Sequence, residues 1–180
     1  VDGRPAAPQP AQLREVRAIL AGLPLELVAL PDAVALPPEG DAYEANAVDK
    51  AVAAARATGC LAIADDSGLE VDALGGAPGA LSARYGPDDA ARIARMLAEL
   101  AEVPDGARAA RFVCVAAWAT PDGRRGTARG VCEGRILRAA NGAVGFGYDP
   151  IFGVAIGGSM RSMAELSATQ KDAMSHRGRA

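Results

Sequence analysis

Apolar positions recur along the chain at two spacings. Leu13, Val16, Ile19, Leu20 and Leu23 fall on one face of a 3.6-residue repeat, which predicts a helix over residues 10–23. Ile93, Met96, Leu97 and Leu100 do the same within 88–100. Residues 45–58 are alanine-rich and predict a third helix, with Gly59 as its stop. Shorter apolar runs at 25–30, 60–64 and 111–120 predict strands. Pro121-Asp122-Gly123 is a turn signal, and 127–137 reads as the strand returning from it. Residues 31–41, 70–85 and 141–150, punctuated by Gly and Pro, read as loops. Ser162 with Glu165, and Ser167 with Gln170, have capping-box spacing and predict one or two short helices near the end. Helices and strands intermix, so the expected fold class is α/β with a mixed sheet flanked by helices.

Composition narrows this picture. A chain of 180 residues, half of them apolar, is long enough for one domain spanning 1–180 with a substantial core. The formal net charge of −3 argues against a surface built to coat nucleic acid. It leaves room for a local basic pocket that takes a small anion. No apolar run is long enough to span a membrane, and the first ten residues lack an apolar signal core, so cytoplasm is the expected location. Cys60, Cys114 and Cys132 have no metal-site spacing. Cys60 and Cys114, in apolar runs, are expected as buried small side chains in a reducing compartment. The chain opens on Val and closes inside a helical pattern, which predicts that it is clipped at one or both ends.

Three segments carry candidate chemistry. Asp65-Asp66-Ser67-Gly68 follows a short apolar run, and is therefore expected at the C-terminal end of a strand, where α/β ligand sites gather. A carboxylate there can hold Mg²⁺ or take a proton from water; the same residues also fit a plain acidic turn. In Gly145-Phe146-Gly147-Tyr148-Asp149-Pro150, the glycines allow close backbone approach, Phe146 offers a ring for a base, and Asp149 offers an acceptor for ring N–H groups. A tight loop around a buried aromatic fits these residues too. Lys171 and Ser175-His176-Arg177-Gly178 gather three candidate cations, including the only histidine, at one end of the chain. Read without a ligand, they are a basic helix end favoured by the helix dipole. There is no Walker phosphate loop, no dinucleotide fingerprint and no nucleophile elbow, so covalent catalysis has no candidate. Trp118, in an apolar strand, is expected in the core, and Arg84 supports either the site or a dimer surface.

These motifs, in this order, resemble the inosine/xanthosine triphosphate pyrophosphatases over residues 45–180. The resemblance rests on Ala64 through Leu69, on Leu74-Gly75-Gly76-Ala77-Pro78-Gly79 with Ser82-Ala83-Arg84-Tyr85, on Gly145 through Pro150, and on Lys171 with Ser175 through Gly178. It implies an elongated twisted sheet with two lobes around a nucleotide-binding cleft, and a homodimer. It implies hydrolysis of ITP, dITP and XTP to the monophosphate and pyrophosphate, with Mg²⁺. Asp66 would hold the metal and activate water, and Ser67 would touch the substrate. Phe146 would stack on the purine, with Gly147, Tyr148 and Asp149 lining its pocket. Lys171, His176 and Arg177 would read the 6-keto edge, where a donor leaves adenine's amino group unpaired.

The chain departs from that pattern in places. Gln9 and Gln12 stand where the family has the Asn and Lys that grip the triphosphate, and residues 1–8 are a poor central strand. Ala45 stands where the family has a Glu near the metal, and Glu44, one residue early, points about 100° away on a helix. The alternative is therefore a degenerate member that binds nucleotide or dimerises without useful catalysis. A third reading is a related enzyme acting on pyrimidine or modified nucleotides.

Overall fold

In the computed structural model, residues 10–180 are described, with side chains from Leu13 onward. Gln9 and the segment 1–8 lie outside the described residues, and so does the side chain of Gln12. The first helix, α1, spans Pro10–Ile19. No strand forms over 25–30. Leu25 and Val28 there are exposed, and the run has no strand partner among the described residues. A strand-like sequence without a paired edge does not hold as a strand. Helix α2 spans Tyr43–Thr58 and ends at Gly59, whose φ of 70° is left-handed.

Strand β1 spans Ala62–Val71, β2 is the short Pro78–Gly79, and β3 spans Ala109–Ala119. Helix α3, Asp89–Glu99, lies between β2 and β3. Strand β4 is Arg125–Ile136, β5 is Phe152–Ile156 and β6 is Ser159–Ser162. Two short helices, α4 (Ala168–Met174) and α5 (His176–Arg179), close the chain, and α4 carries the expected capping box. The sheet order is β2-β1-β3-β4-β5-β6. The α/β class and the flanking helices are as expected, but the mixed sheet needs correcting. Every strand pair among the described residues is antiparallel; tight turns join β3 to β4 and β5 to β6, and the longer segment 137–151 joins β4 to β5.

The central strands are long and serve two cores. On one face, Ala47, Ala51 and Ala55 of α2 pack on Val115, Ala117 and Ala119 of β3. On the other face, Leu69, Val71, Ala110, Phe112, Cys132 and Ile136 pack against Met96 and Leu100 of the α3 region and Phe152 of β5. The small residues of α2 let its backbone lie close to the sheet. Each fully buried Leu or Met on the opposite face adds about 1.5–3 kcal/mol. The two cores are displaced along the strands, one towards Ala119 and the other towards Ala110. Trp118 is 41% exposed rather than core, with its indole against Gly126 across the ladder. Cys114 is buried as expected, Cys60 is exposed against expectation, and Cys132 is buried as well. Cys60 sits just past the α2 cap, before β1 begins.

Candidate active site

The expected position of the two aspartates at a strand end is overturned: β1 runs straight through them. Asp65 opposes Ala116, Asp66 opposes Val115, and Ser67 opposes Cys114. Side chains alternate along a strand, so consecutive residues face opposite sides of the sheet. Asp66 faces α2, whereas Asp65 and Ser67 face α5.

On the α2 face, Asn46 Nδ2 donates to Asp66 Oδ2 at 2.8 Å. Asn46 also exchanges hydrogen bonds with Gly40, at 2.7 and 3.3 Å. Arg84 donates to the carbonyls of Glu39 and Gly40 at 2.9 and 2.8 Å, so it braces this loop. Lys50 Nζ lies 2.7 Å from Glu39 Oε1 and 3.6 Å from Asp66 Oδ1. Burial raises the Asp66 pKa above the ordinary carboxylate value. Asn46 and Lys50 oppose the shift, and the charges of Glu39 and Asp65 reinforce it. A carboxylate shifted upward is a better proton acceptor at neutral pH. Glu44 points elsewhere, towards the Thr127 hydroxyl at 3.4 Å, as its helical position requires.

On the opposite face, Asp65 Oδ2 accepts from Ser67 Oγ at 2.8 Å and from Arg177 Nε at 2.9 Å. Burial alone would push Asp65 up. Arg177 beside it, with the Ser67 hydroxyl and Lys50, holds it below the usual range instead. Asp65 is thus the ionised counter-charge of the buried Arg177. Arg177 also meets Glu15 Oε2 at 3.3 Å, and the other Glu15 oxygen is buried with no partner among the described residues. Burial and the nearby Asp65 push the Cys114 thiol up to about 12, so it stays protonated and is no nucleophile.

The 145–150 loop meets these groups from the side of α4 and α5. Asp149 Oδ2 accepts from the Phe146 N–H at 3.0 Å and from Lys171 Nζ at 2.5 Å. Lys171 Nζ stands 4.7 Å from the Phe146 ring centroid, and the Arg177 guanidinium carbon 5.9 Å from it. Gly145 has φ of 101°, and a Cβ there would collide with the Asp149 carboxylate. Gly147 directs its N–H to Asp89 at 2.8 Å. Tyr148 is buried in the core and donates to the Ser82 carbonyl at 3.0 Å. Its side chain therefore supports the loop from behind rather than lining a pocket.

His176 departs from its expected role as a cation. Its ring stacks on Phe112, with centroids 5.0 Å apart. Burial, with the charge of Arg177 adding to it, holds its pKa down to about 3, so the imidazole is neutral near pH 7. Its Nδ1 is buried without a partner among the described residues. Helix α5 lies directly on β4, because a Cβ at Gly130 would meet the His176 carbonyl and the Arg179 backbone. This packing, with Ser175 capping α5 through the Gly178 N–H, sets where Arg177 points.

The structure thus gathers Asp149, Lys171, Arg177 and Phe146, and places Asp66 across the sheet from Ser67. Sequence reading missed Asn46, Lys50, Glu39, Glu15 and Asp89. Asn46 and Lys50 had a signal, since positions four apart share one helix face. Glu15 stood as a carboxylate between apolar positions of α1. Glu39 and Asp89 had none, because tertiary contacts alone give them partners.

A carboxylate shifted upward and a cation-flanked ring, with no activated nucleophile among the described residues, fit a hydrolase of the α/β class. The Ham1 family matches residues 8–180, and the chain belongs to it. It is 49% identical over 171 residues to the dITP/XTP pyrophosphatase of Symbiobacterium thermophilum, covering 94% of this chain and 85% of that one. It is 53% identical over 156 residues to the dITP/XTP pyrophosphatase of Thermosynechococcus vestitus, covering 86% and 78%. Among solved structures, a HAM1 protein from Coxiella burnetii superposes with a TM-score of 0.82 at 38% identity, covering 97% of this chain and 91% of that one. No described helix is long and apolar enough to cross a membrane.

Proposed function

We propose that this chain hydrolyses dITP, XTP and ITP to the nucleoside monophosphate and pyrophosphate. The observation that carries the reading is the convergence of Phe146, Asp149, Lys171 and Arg177 beside the Asp65–Ser67 strand. The names of the relatives, dITP/XTP pyrophosphatases, support the same substrate class.

Phe146 gives the purine a ring to stack on, and Asp149 accepts from its N–H groups. Lys171 and Arg177 donate to the 6-keto oxygen, and His176 Nδ1 adds a neutral polar edge. Adenine brings an amino donor to that position and meets donors, which leaves buried groups unpaired. Ser67 touches the substrate. Asp66 takes the proton from the water that attacks the α-phosphorus, as the bond to the pyrophosphate oxygen breaks. Lys50 and Asn46 orient the Asp66 carboxylate for that step.

The donor chemistry around Asp66 fits Mg²⁺. Asp66 and Glu39 converge on one ammonium group, and two hard oxygen donors suffice for an ion that keeps water and phosphate as its other ligands. Asp66 and Glu39 would hold the ion, which would supply charge neutralisation for the phosphates and a lower pKa for bound water. Glu39 thereby offers a carboxylate where Ala45 has none, which favours an active enzyme over a degenerate one.

The reading extends to a single domain over 1–180, a homodimer, a cytoplasmic location and no nucleic-acid partner. Hydrolysis of XTP in ¹⁸O-labelled water tests the chemistry. The expected result is label in the monophosphate and none in pyrophosphate. Label in pyrophosphate would place the attack on the β-phosphorus and refute the mechanism.

A further inference from the structure

The carboxylate of Asp89 is left over once α3 is capped. Asp88 performs the capping, with its side chain on the Ala91 N–H at 2.8 Å. Asp89, the first residue inside the helix, turns outward instead. Its Oδ1 pairs with Arg92 at 2.5 Å, and its Oδ2 accepts the Gly147 N–H at 2.8 Å from 58 residues away. The two peptide N–H groups flanking the Phe146 side chain are thus both held by carboxylates. That of Phe146 goes to Asp149 within the loop, and that of Gly147 goes to Asp89 on a helix outside it. Asp149 is shared with Lys171 and so ties the loop to α4, whereas Asp89 ties it to α3 next to the Phe146 side chain. Gly147 adopts φ of 61°, a region open to it because it lacks a side chain, and this turn aims its N–H at α3.

We propose that Asp89 is a positioning residue for the purine platform: through the Gly147 N–H it sets the orientation of the Phe146 ring. Arg92 keeps the carboxylate in place. Asp89 touches no substrate, and its effect passes through the loop. This inference rests on reading Phe146 as the base-stacking ring. A loop that must be ordered on each binding event weakens affinity for the base and leaves the bond-breaking step unchanged.

The test compares Asp89→Ala, Asp89→Asn and Phe146→Ala, each checked for an unchanged circular dichroism spectrum. KM and kcat are measured with XTP and dITP, and inhibition with inorganic tripolyphosphate, which has no base. Asp89→Ala is expected to raise KM about fivefold to tenfold, with kcat within about twofold and tripolyphosphate inhibition unchanged. Asp89→Asn keeps an acceptor for Gly147 and is expected within about twofold of the parent KM. An unchanged KM in Asp89→Ala, beside a raised KM in Phe146→Ala, overturns the role of Asp89 alone. An unchanged KM in Phe146→Ala overturns the platform reading, and the inference with it. Equal losses for tripolyphosphate and nucleotide, or an Asn variant as impaired as Ala, mean that Asp89 only stabilises α3 and overturn the proposal.

Discussion

At the scale of single residues, burial decides which charges exist. His176 is the clearest case, because its neutral form is the one the core accepts. An unfolded chain takes up that proton near pH 6.5, and the folded chain only near 3. Between those values the unfolded state binds more protons, so stability falls as pH is lowered through the window. The slope is up to about 1.4 kcal/mol per pH unit. Urea unfolding at pH 7.5 and pH 5 is expected to differ by about 2 kcal/mol, and His176→Gln is expected to lose much of that difference. An unchanged pH dependence in the variant would contradict the assignment. The residue types at the site were legible in the sequence, since Asp66, Phe146, Asp149, Lys171 and Arg177 all stood out by motif. Their charge states were not. The motif presents His176 as one of three cations, and only the packing against Phe112 shows it to be neutral.

At the scale of elements, the main surprise is β1. Asp, Ser and Gly are poor strand formers, so the sequence reads as a strand that stops before Asp65. The ladder to β3 runs on for all ten residues because each aspartate has a cation on its own face: Lys50 for Asp66, Arg177 for Asp65. Tertiary pairing outweighs local preference here, and a single sequence does not display it. The helices α1, α2 and α3 were legible from their repeats, whereas the run 25–30 looked like a strand and is none. Arg108 ties elements together at the far end of the sheet. It is 2% exposed and donates to the carbonyls of Ile136 at 2.9 Å, Leu137 at 3.0 Å and Leu100 at 2.5 Å. Arg108→Ala strands those acceptors, and is expected to cost on the order of 3 kcal/mol in denaturant unfolding. A loss below about 1 kcal/mol would mean that water replaces the guanidinium with little cost.

At the scale of the whole molecule, two cores on opposite faces of one antiparallel sheet share β3, which gives Val115, Ala117 and Ala119 to one and Ala110 and Phe112 to the other, with β1 alongside it. Asp66 faces one core, and Phe146, Asp149, Lys171 and Arg177 gather beside the other. The family resemblance supplied this division in outline, as two lobes. The alternation of Asp65 and Asp66 supplies its physical basis. On the α2 face, where Ala45 offers no carboxylate, Glu39 is linked to Asp66 through Lys50. The most direct test is pyrophosphate release from XTP, dITP and ATP with Mg²⁺, in the parent chain and in Asp66→Asn. Release from XTP and dITP at least about a hundredfold faster than from ATP, and lost by about a thousandfold in the variant, is the expected result. A folded parent that releases nothing from XTP or dITP, or a variant as active as the parent, would contradict the account.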